Sequence, residues 1–203
     1  MKPNLLIING SRHATKGQSG LISRHLKNNY KNDFKFEELV LMQQKNKKIW
    51  HKKLSNADAF IFISGTYWDS WGAPLQYFFE ETTAWEATDV WLGKPVAVIV
   101  SEHSTGGKHV LSTMQGVLNT LGLMIIPLGG VVISKNNTLL ARQLTKTKMA
   151  RELEDFWGPA DIAPLMQNLK QTSTLTSRLK IKWQSWRCDR KDFSKTWLIQ
   201  KDL

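Results

Sequence analysis

The chain has 203 residues, 41% of them hydrophobic and 22% charged, a balance that suits a folded domain with a real core. Its one cysteine, Cys188, excludes an intrachain disulfide and multi-cysteine zinc or iron–sulfur sites. No apolar run approaches the roughly 20 residues of a membrane-spanning helix, and the short run at Leu5–Ile8 reads as a strand rather than a leader, so a cytoplasmic protein is expected. The net charge of +11 is uneven: residues 1–134 hold 14 basic and 10 acidic residues, and residues 135–203 hold 14 and 7. Such an excess suits either a solvated surface or an anionic partner.

Leu5-Leu6-Ile7-Ile8 ends in Asn9-Gly10, so it reads as a buried strand. A polar loop runs to Gly20, and Leu21, Ile22, Leu26 and Tyr30 then fall at helical spacing. Phe34 to Leu41 suggests a second strand, and the lysine-rich stretch from Gln43 to Lys53 an exposed short helix or loop. Ala59 to Ile63 is a third strand, and Gly72-Ala73-Pro74 opens a helix with Leu75, Phe78, Phe79 and Thr82 on one face. Pro95–Val100 is a fourth strand. Gly106-Gly107 begins a helix with Val110, Leu111, Met114, Val117, Leu118 and Leu121 on its apolar side. Leu123 to Ile133 supplies a fifth strand, and a last helix is expected over Leu139–Trp157.

Strands that are apolar throughout must be covered on both faces. Five alternations of strand and helix therefore predict a doubly wound parallel sheet. In such sheets ligands bind beyond the carboxyl ends of the strands. Three loops should meet there. Asn9–Gly20 is rich in glycine, hydroxyl and basic groups and leads into a helix N-terminus, which favours a phosphate. Ser64–Pro74 carries Tyr67, Trp68 and Trp71, aromatics suited to covering something flat. Ser101–Gly107 brings paired glycines that admit close backbone approach. His103 and His109 lack accompanying carboxylates or cysteines, so no metal ligands are assigned.

Together these loops resemble the flavodoxin-like NADPH-dependent FMN reductases and NAD(P)H:quinone reductases. The resemblance rests on Gly10-Ser11-Arg12, Ala57-Asp58-Ala59, Thr66-Tyr67-Trp68 leading to Ala73-Pro74-Leu75, Gly93-Lys94-Pro95-Val96-Ala97, and Gly106-Gly107. It implies a five-stranded sheet of order 2-1-3-4-5 in an FMN-binding domain over residues 1–157, with 158–203 a basic, Trp-containing extension. It also implies FMN as cofactor and NAD(P)H as co-substrate. Carried over by position, Ser11, Arg12, Gln18 and Ser19 would hold the phosphate. Thr66, Tyr67, Trp68, Asp69 and Ser70 would border the ring, and Ser101, Gly106 and Gly107 would close its other edge. No catalytic side chain is assigned, because the flavin carries the chemistry.

The resemblance further implies a small-molecule electron acceptor such as a quinone or another flavin, and a homodimer or homotetramer. Thr66 stands where the family often has proline, and Gln76 and Glu80 replace a frequent lysine and aspartate. The alternative function is a binding or scaffold protein without turnover. The tail segment Arg178–Arg187 interleaves basic and aromatic residues, a pattern for nucleic acid or a membrane surface. The alternation of Leu179, Ile181 and Trp183 equally suits an edge strand or subunit contact.

Overall fold

A computed structural model describes residues 2–136, 159–179 and 181–185. The strands are β1 (Asn4–Asn9), β2 (Lys35–Val40), β3 (Ala59–Gly65), β4 (Pro95–Glu102) and β5 (Met124–Ser134). The helices are α1 (Gln18–Tyr30), α2 (Lys47–Asn56), α3 (Ala73–Thr82), α4 (Gly107–Thr120) and α5 (Ile162–Leu179). The five strands form one parallel sheet, as the alternation predicted, in the order β2-β1-β3-β4-β5 that the resemblance implies. Reversal of strand order at β1 and β3 brings the loops after these strands together at one edge.

The strands alternate their side chains between two cores. Leu6, Ile8, Phe60, Phe62, Val96 and Val98 face α2, α3 and α4. Leu5, Ile7, Ile61, Ile63, Ala97 and Ile99 face α1 and α5. The predicted faces of α3 and α4 are buried, with Val117 only half so. In α1, Ile22 and Leu26 are buried but Leu21 is 54% exposed. Leu21 lies about 100° around the helix from Ile22, off the core-facing stripe. The lysine-rich stretch is a helix that buries Trp50 and Leu54, one turn apart. The Trp50 indole also donates to the Gln44 carbonyl at 2.9 Å.

β5 is interrupted. Val96 pairs with Ile125 but Val98 pairs with Gly130, so the intervening residues of β5 bulge outward. Leu128 at the bulge is 70% exposed, and Asn168 of α5 donates to the Pro127 carbonyl at 2.9 Å. The extension therefore contributes structure to the sheet. Ile162, Leu165, Met166 and Leu169 of α5 are buried in the second core, against β4 and β5.

The expected alternation of Leu179, Ile181 and Trp183 as a strand is not what forms. Leu179 ends α5, and residues 181–185 form no helix or strand. Trp183 lies on Gly93 of the same chain, and the Ser185 hydroxyl donates to the Ala87 carbonyl at 2.6 Å. Gly93 has φ +74°, and a Cβ there would collide with the Trp183 indole. The helix expected over Leu139–Trp157 lies outside the described residues, as do Lys180, Trp186 and Arg187.

No described helix is long and apolar enough to cross a membrane.

Candidate functional site

The loop after β1 is held by Asn9, whose buried side chain accepts the Ser11 backbone N–H at 3.1 Å. This turns Ser11 inward, where its hydroxyl accepts the His13 backbone N–H at 3.3 Å. Arg12 and Gln18 stay exposed, while Ser19 is buried at the first turn of α1. The N-cap of α1 is Gly17, with no capping side chain and no acid in the first turn. Its dipole and first N–H groups therefore lack a side-chain partner there.

The loop after β3 is a tight hairpin. Tyr67 and Ser70 exchange backbone hydrogen bonds of 2.8 and 3.0 Å. Trp68 and Asp69 between them have φ +50° and +55°, the left-handed pair of a type I′ turn. Holding a tryptophan there costs on the order of 1 kcal/mol. Its ring stands fully in solvent at the tip. Below the hairpin, the buried Ser64 hydroxyl accepts the Gly72 N–H at 3.2 Å and pins the loop's return.

The loop after β4 opens α4. Gly106, its N-cap, has φ +90°, and a Cβ there would strike the Asp69 carboxylate. Glu102 accepts the Gly107 backbone N–H at 2.6 Å. The start of α4 thus has its own anion, whereas the start of α1 has none. The start of α3 also lacks a capping side chain and an acid, but Pro74 removes one of its N–H groups, so α1 presents the fuller set of N–H groups to an external phosphate.

The three loops meet. Ser11 and Tyr67 hydroxyls are 3.3 Å apart, linking the first and second. The Thr66 N–H donates to the Ser101 carbonyl at 2.8 Å, and Asp69 abuts Gly106, linking the second and third. The Thr66 hydroxyl is buried with no hydrogen-bond partner among the described residues. Such an atom normally costs free energy unless something supplies its bond. Three loops meeting at a sheet edge where α1 starts without a capping side chain fit a ligand with an anionic end.

Beside this junction, toward α3, lies an open cavity of about 820 Å³. Of the expected site residues Arg12, Tyr67 and Ser70 line it, whereas Ser11, Gln18, Ser19, Thr66, Trp68, Asp69, Ser101, Gly106 and Gly107 do not. Its other walls include Met42 and Lys45 after β2, and Trp71 and Tyr77 around α3. Sequence reading did not single out Met42, Lys45 or Tyr77. The available signal was position, since Met42 directly follows the second predicted strand. Gln76 and Glu80 have a visible local role. The Trp71 indole donates to Gln76 at 2.9 Å, and Gln76 donates to Glu80 at 2.8 Å, which fixes the Trp71 ring. His103 and His109 are exposed, and no group of three potential metal ligands occurs among the described residues.

Comparison with known proteins agrees with this geometry. No curated protein matched the chain. Among solved structures, RosB with a bound intermediate, 8-demethyl-8-formylriboflavin-5'-phosphate, aligns with a TM-score of 0.65 at 12% identity, covering 99% of this chain and 96% of that one. The apo form of the NADH:FMN oxidoreductase EmoB aligns at 0.62 and 12% identity, covering 86% and 90%. General stress protein 14 of Treponema denticola, in complex with FMN, aligns at 0.55 and 14% identity, covering 81% and 98%. At these identities the likeness is one of fold. The family model for NADPH-dependent FMN reductase matches residues 3–138, two-thirds of the sequence and all three loops, and the chain belongs to that family.

Proposed function

We propose that this protein is an FMN-dependent NAD(P)H oxidoreductase that delivers reducing equivalents to a quinone, a second flavin or a similar small acceptor. The meeting of the three loops through Ser11–Tyr67, Thr66–Ser101 and Asp69–Gly106 carries this reading. Ser11, Arg12, Gln18 and Ser19, with the open N-terminus of α1, would hold the phosphate. Thr66 to Ser70 would border the ring, with Tyr67 and Ser70 already on the wall of the cavity. Ser101, Gly106 and Gly107 would close the opposite edge.

Bound FMN supplies hydride transfer between NAD(P)H and the acceptor. The chain's own task is to bind, orient and exclude water, so no side chain need act as base or nucleophile. Trp68 at the hairpin tip would lie across the acceptor or nicotinamide and limit water access. The neighbouring cavity, with Arg12 and Lys45 beside Trp71 and Tyr77, gives room for a flat molecule with an anionic end. The FMN-binding unit spans residues 1–157 and acts as a cytoplasmic homodimer or homotetramer in this reading.

Purified protein mixed with FMN should show bound-flavin absorbance and oxidise NADPH or NADH when a quinone is added. A colourless protein that takes up no FMN at micromolar concentration overturns the reading. FMN binding without NAD(P)H oxidation across several acceptors would instead favour a binding protein without turnover.

A further inference from the structure

At the opposite end of the sheet from the three loops, a second open cavity of about 900 Å³ lies between the start of β2, the end of α1 and the end of α5. Four cations line it: Lys2, Lys31, Lys35 and Arg178. None of them forms an ion pair among the described residues, whereas Lys27, Lys47, Lys53 and Lys170 are each paired with an acid. Lys2 is held toward the cavity, because its ammonium donates to the Lys31 carbonyl at 3.1 Å.

The local charge does not cancel. Lys31 and Arg178 sit at the C-terminal ends of α1 and α5, where each helix dipole contributes about half a negative charge. Asp58 is the one acid in the lining, and its carboxylate is occupied by the Asn4 backbone N–H at 2.7 Å. Asp33, close by, is neutralised by Lys170 at 2.6 Å. Two half-charges and one carboxylate against four cations leave a surplus of about two positive charges. Basic residues that served only to offset the helix ends would number one per end. The exposed Ser177 hydroxyl on α5 adds a hydrogen-bond donor to one wall, while those of Ser173 and Thr174 already donate to the Leu169 and Lys170 carbonyls at 2.6 and 2.8 Å.

We propose that this cavity binds a small ligand carrying two or more phosphates. A diphosphate matches the charge surplus, and the volume exceeds a diphosphate alone, which leaves room for an attached nucleoside. The site lies away from the flavin loops and requires nothing of them, so it stands or falls apart from the proposed oxidoreductase activity.

The test uses the full chain with FMN in excess, so that any phosphate site at the α1 N-terminus is filled. Pyrophosphate and ADP are titrated by calorimetry and by amide NMR. Saturable binding is expected, weakened by salt, with shifts at Lys31, Lys35 and Ser177. Tighter binding of ADP than of pyrophosphate would identify a nucleotide ligand, and equal binding would mean the diphosphate alone is recognised. The double variant Lys35→Gln, Arg178→Gln changes two exposed side chains and should weaken both probes by about ten-fold while thermal midpoint and flavin uptake hold. Absence of saturation at millimolar probe, or equal affinity in the double variant, would overturn the proposal.

Discussion

The hydroxyls of Ser11 and Tyr67, 56 residues apart in sequence, stand 3.3 Å from each other and tie the loop after β1 to the hairpin after β3. Tyr67→Phe keeps the ring and removes the tie. A hydrogen bond of this kind contributes about 1 kcal/mol. If the loops must be held together for FMN to bind, the Kd for FMN should rise about five-fold. Quenching of FMN fluorescence measures it. An unchanged Kd would show that the two loops hold their places independently.

Arg12 is exposed in the loop that leads to the uncapped start of α1. A charge-assisted contact to a phosphate contributes roughly 1.5–3 kcal/mol. Arg12→Gln should therefore weaken FMN by about ten- to a hundred-fold and leave riboflavin, which has no phosphate, nearly unaffected. Equal loss for both ligands would move the phosphate away from Arg12.

Trp68 combines an unfavourable left-handed backbone with a fully exposed ring. Glycine tolerates that backbone without steric cost, which outweighs the extra freedom it gives the unfolded chain. Trp68→Gly should raise the thermal midpoint by about 1–2 °C for a chain of this size. The same change should raise KM for an aromatic acceptor, because the ring that would lie on it is gone. A variant with lower stability and unchanged KM would contradict both halves of the argument.

Lys94 carries a pH signature. Its ammonium donates to the carbonyls of Leu54 and Ser55 at 3.0 and 3.2 Å and lies 5.7 Å from the Phe60 ring centroid. Burial pulls its pKa below the ordinary 10.5, against the opposing pull of Asp58 and Asp89. The unfolded chain keeps this proton up to about 10.5, and the folded chain releases it earlier. Between those two values the unfolded state binds more protons, so this residue's contribution to stability rises with pH. Urea midpoints of wild type and Lys94→Met, compared from about pH 8 to 10.5, should diverge in favour of wild type as pH increases. Parallel curves would rule this out.

The sheet was legible because β1, β3 and β4 are apolar on both faces, and the turn residues Asn9-Gly10 and Gly72-Ala73-Pro74 punctuate them. Trp50 was hidden by the lysines around it. A single buried stripe of two residues barely registers as periodicity, and tertiary packing decides it. The apolar positions of α5 at Ile162, Leu165, Met166 and Leu169 do follow helical spacing, yet they lie past Gly158-Pro159, in a stretch whose basic and aromatic residues at 178–187 stand out first. The left-handed turn at Trp68-Asp69 has no glycine or asparagine to announce it. The meeting of the three loops follows from topology, whereas the Ser11–Tyr67 contact depends on side-chain positions that no spacing rule specifies.

The position of α5 separates ancestry from foldability. The family match stops at residue 138, but the helix that seals β4 and β5 begins at Ile162. Burying its four apolar side chains contributes about 6–12 kcal/mol before opposing terms, as much as an ordinary domain's whole stability. A fragment cut at the family boundary would thus keep all three loops and still present a bare apolar sheet face to water. The inherited module and the cooperative unit are different lengths of the same chain.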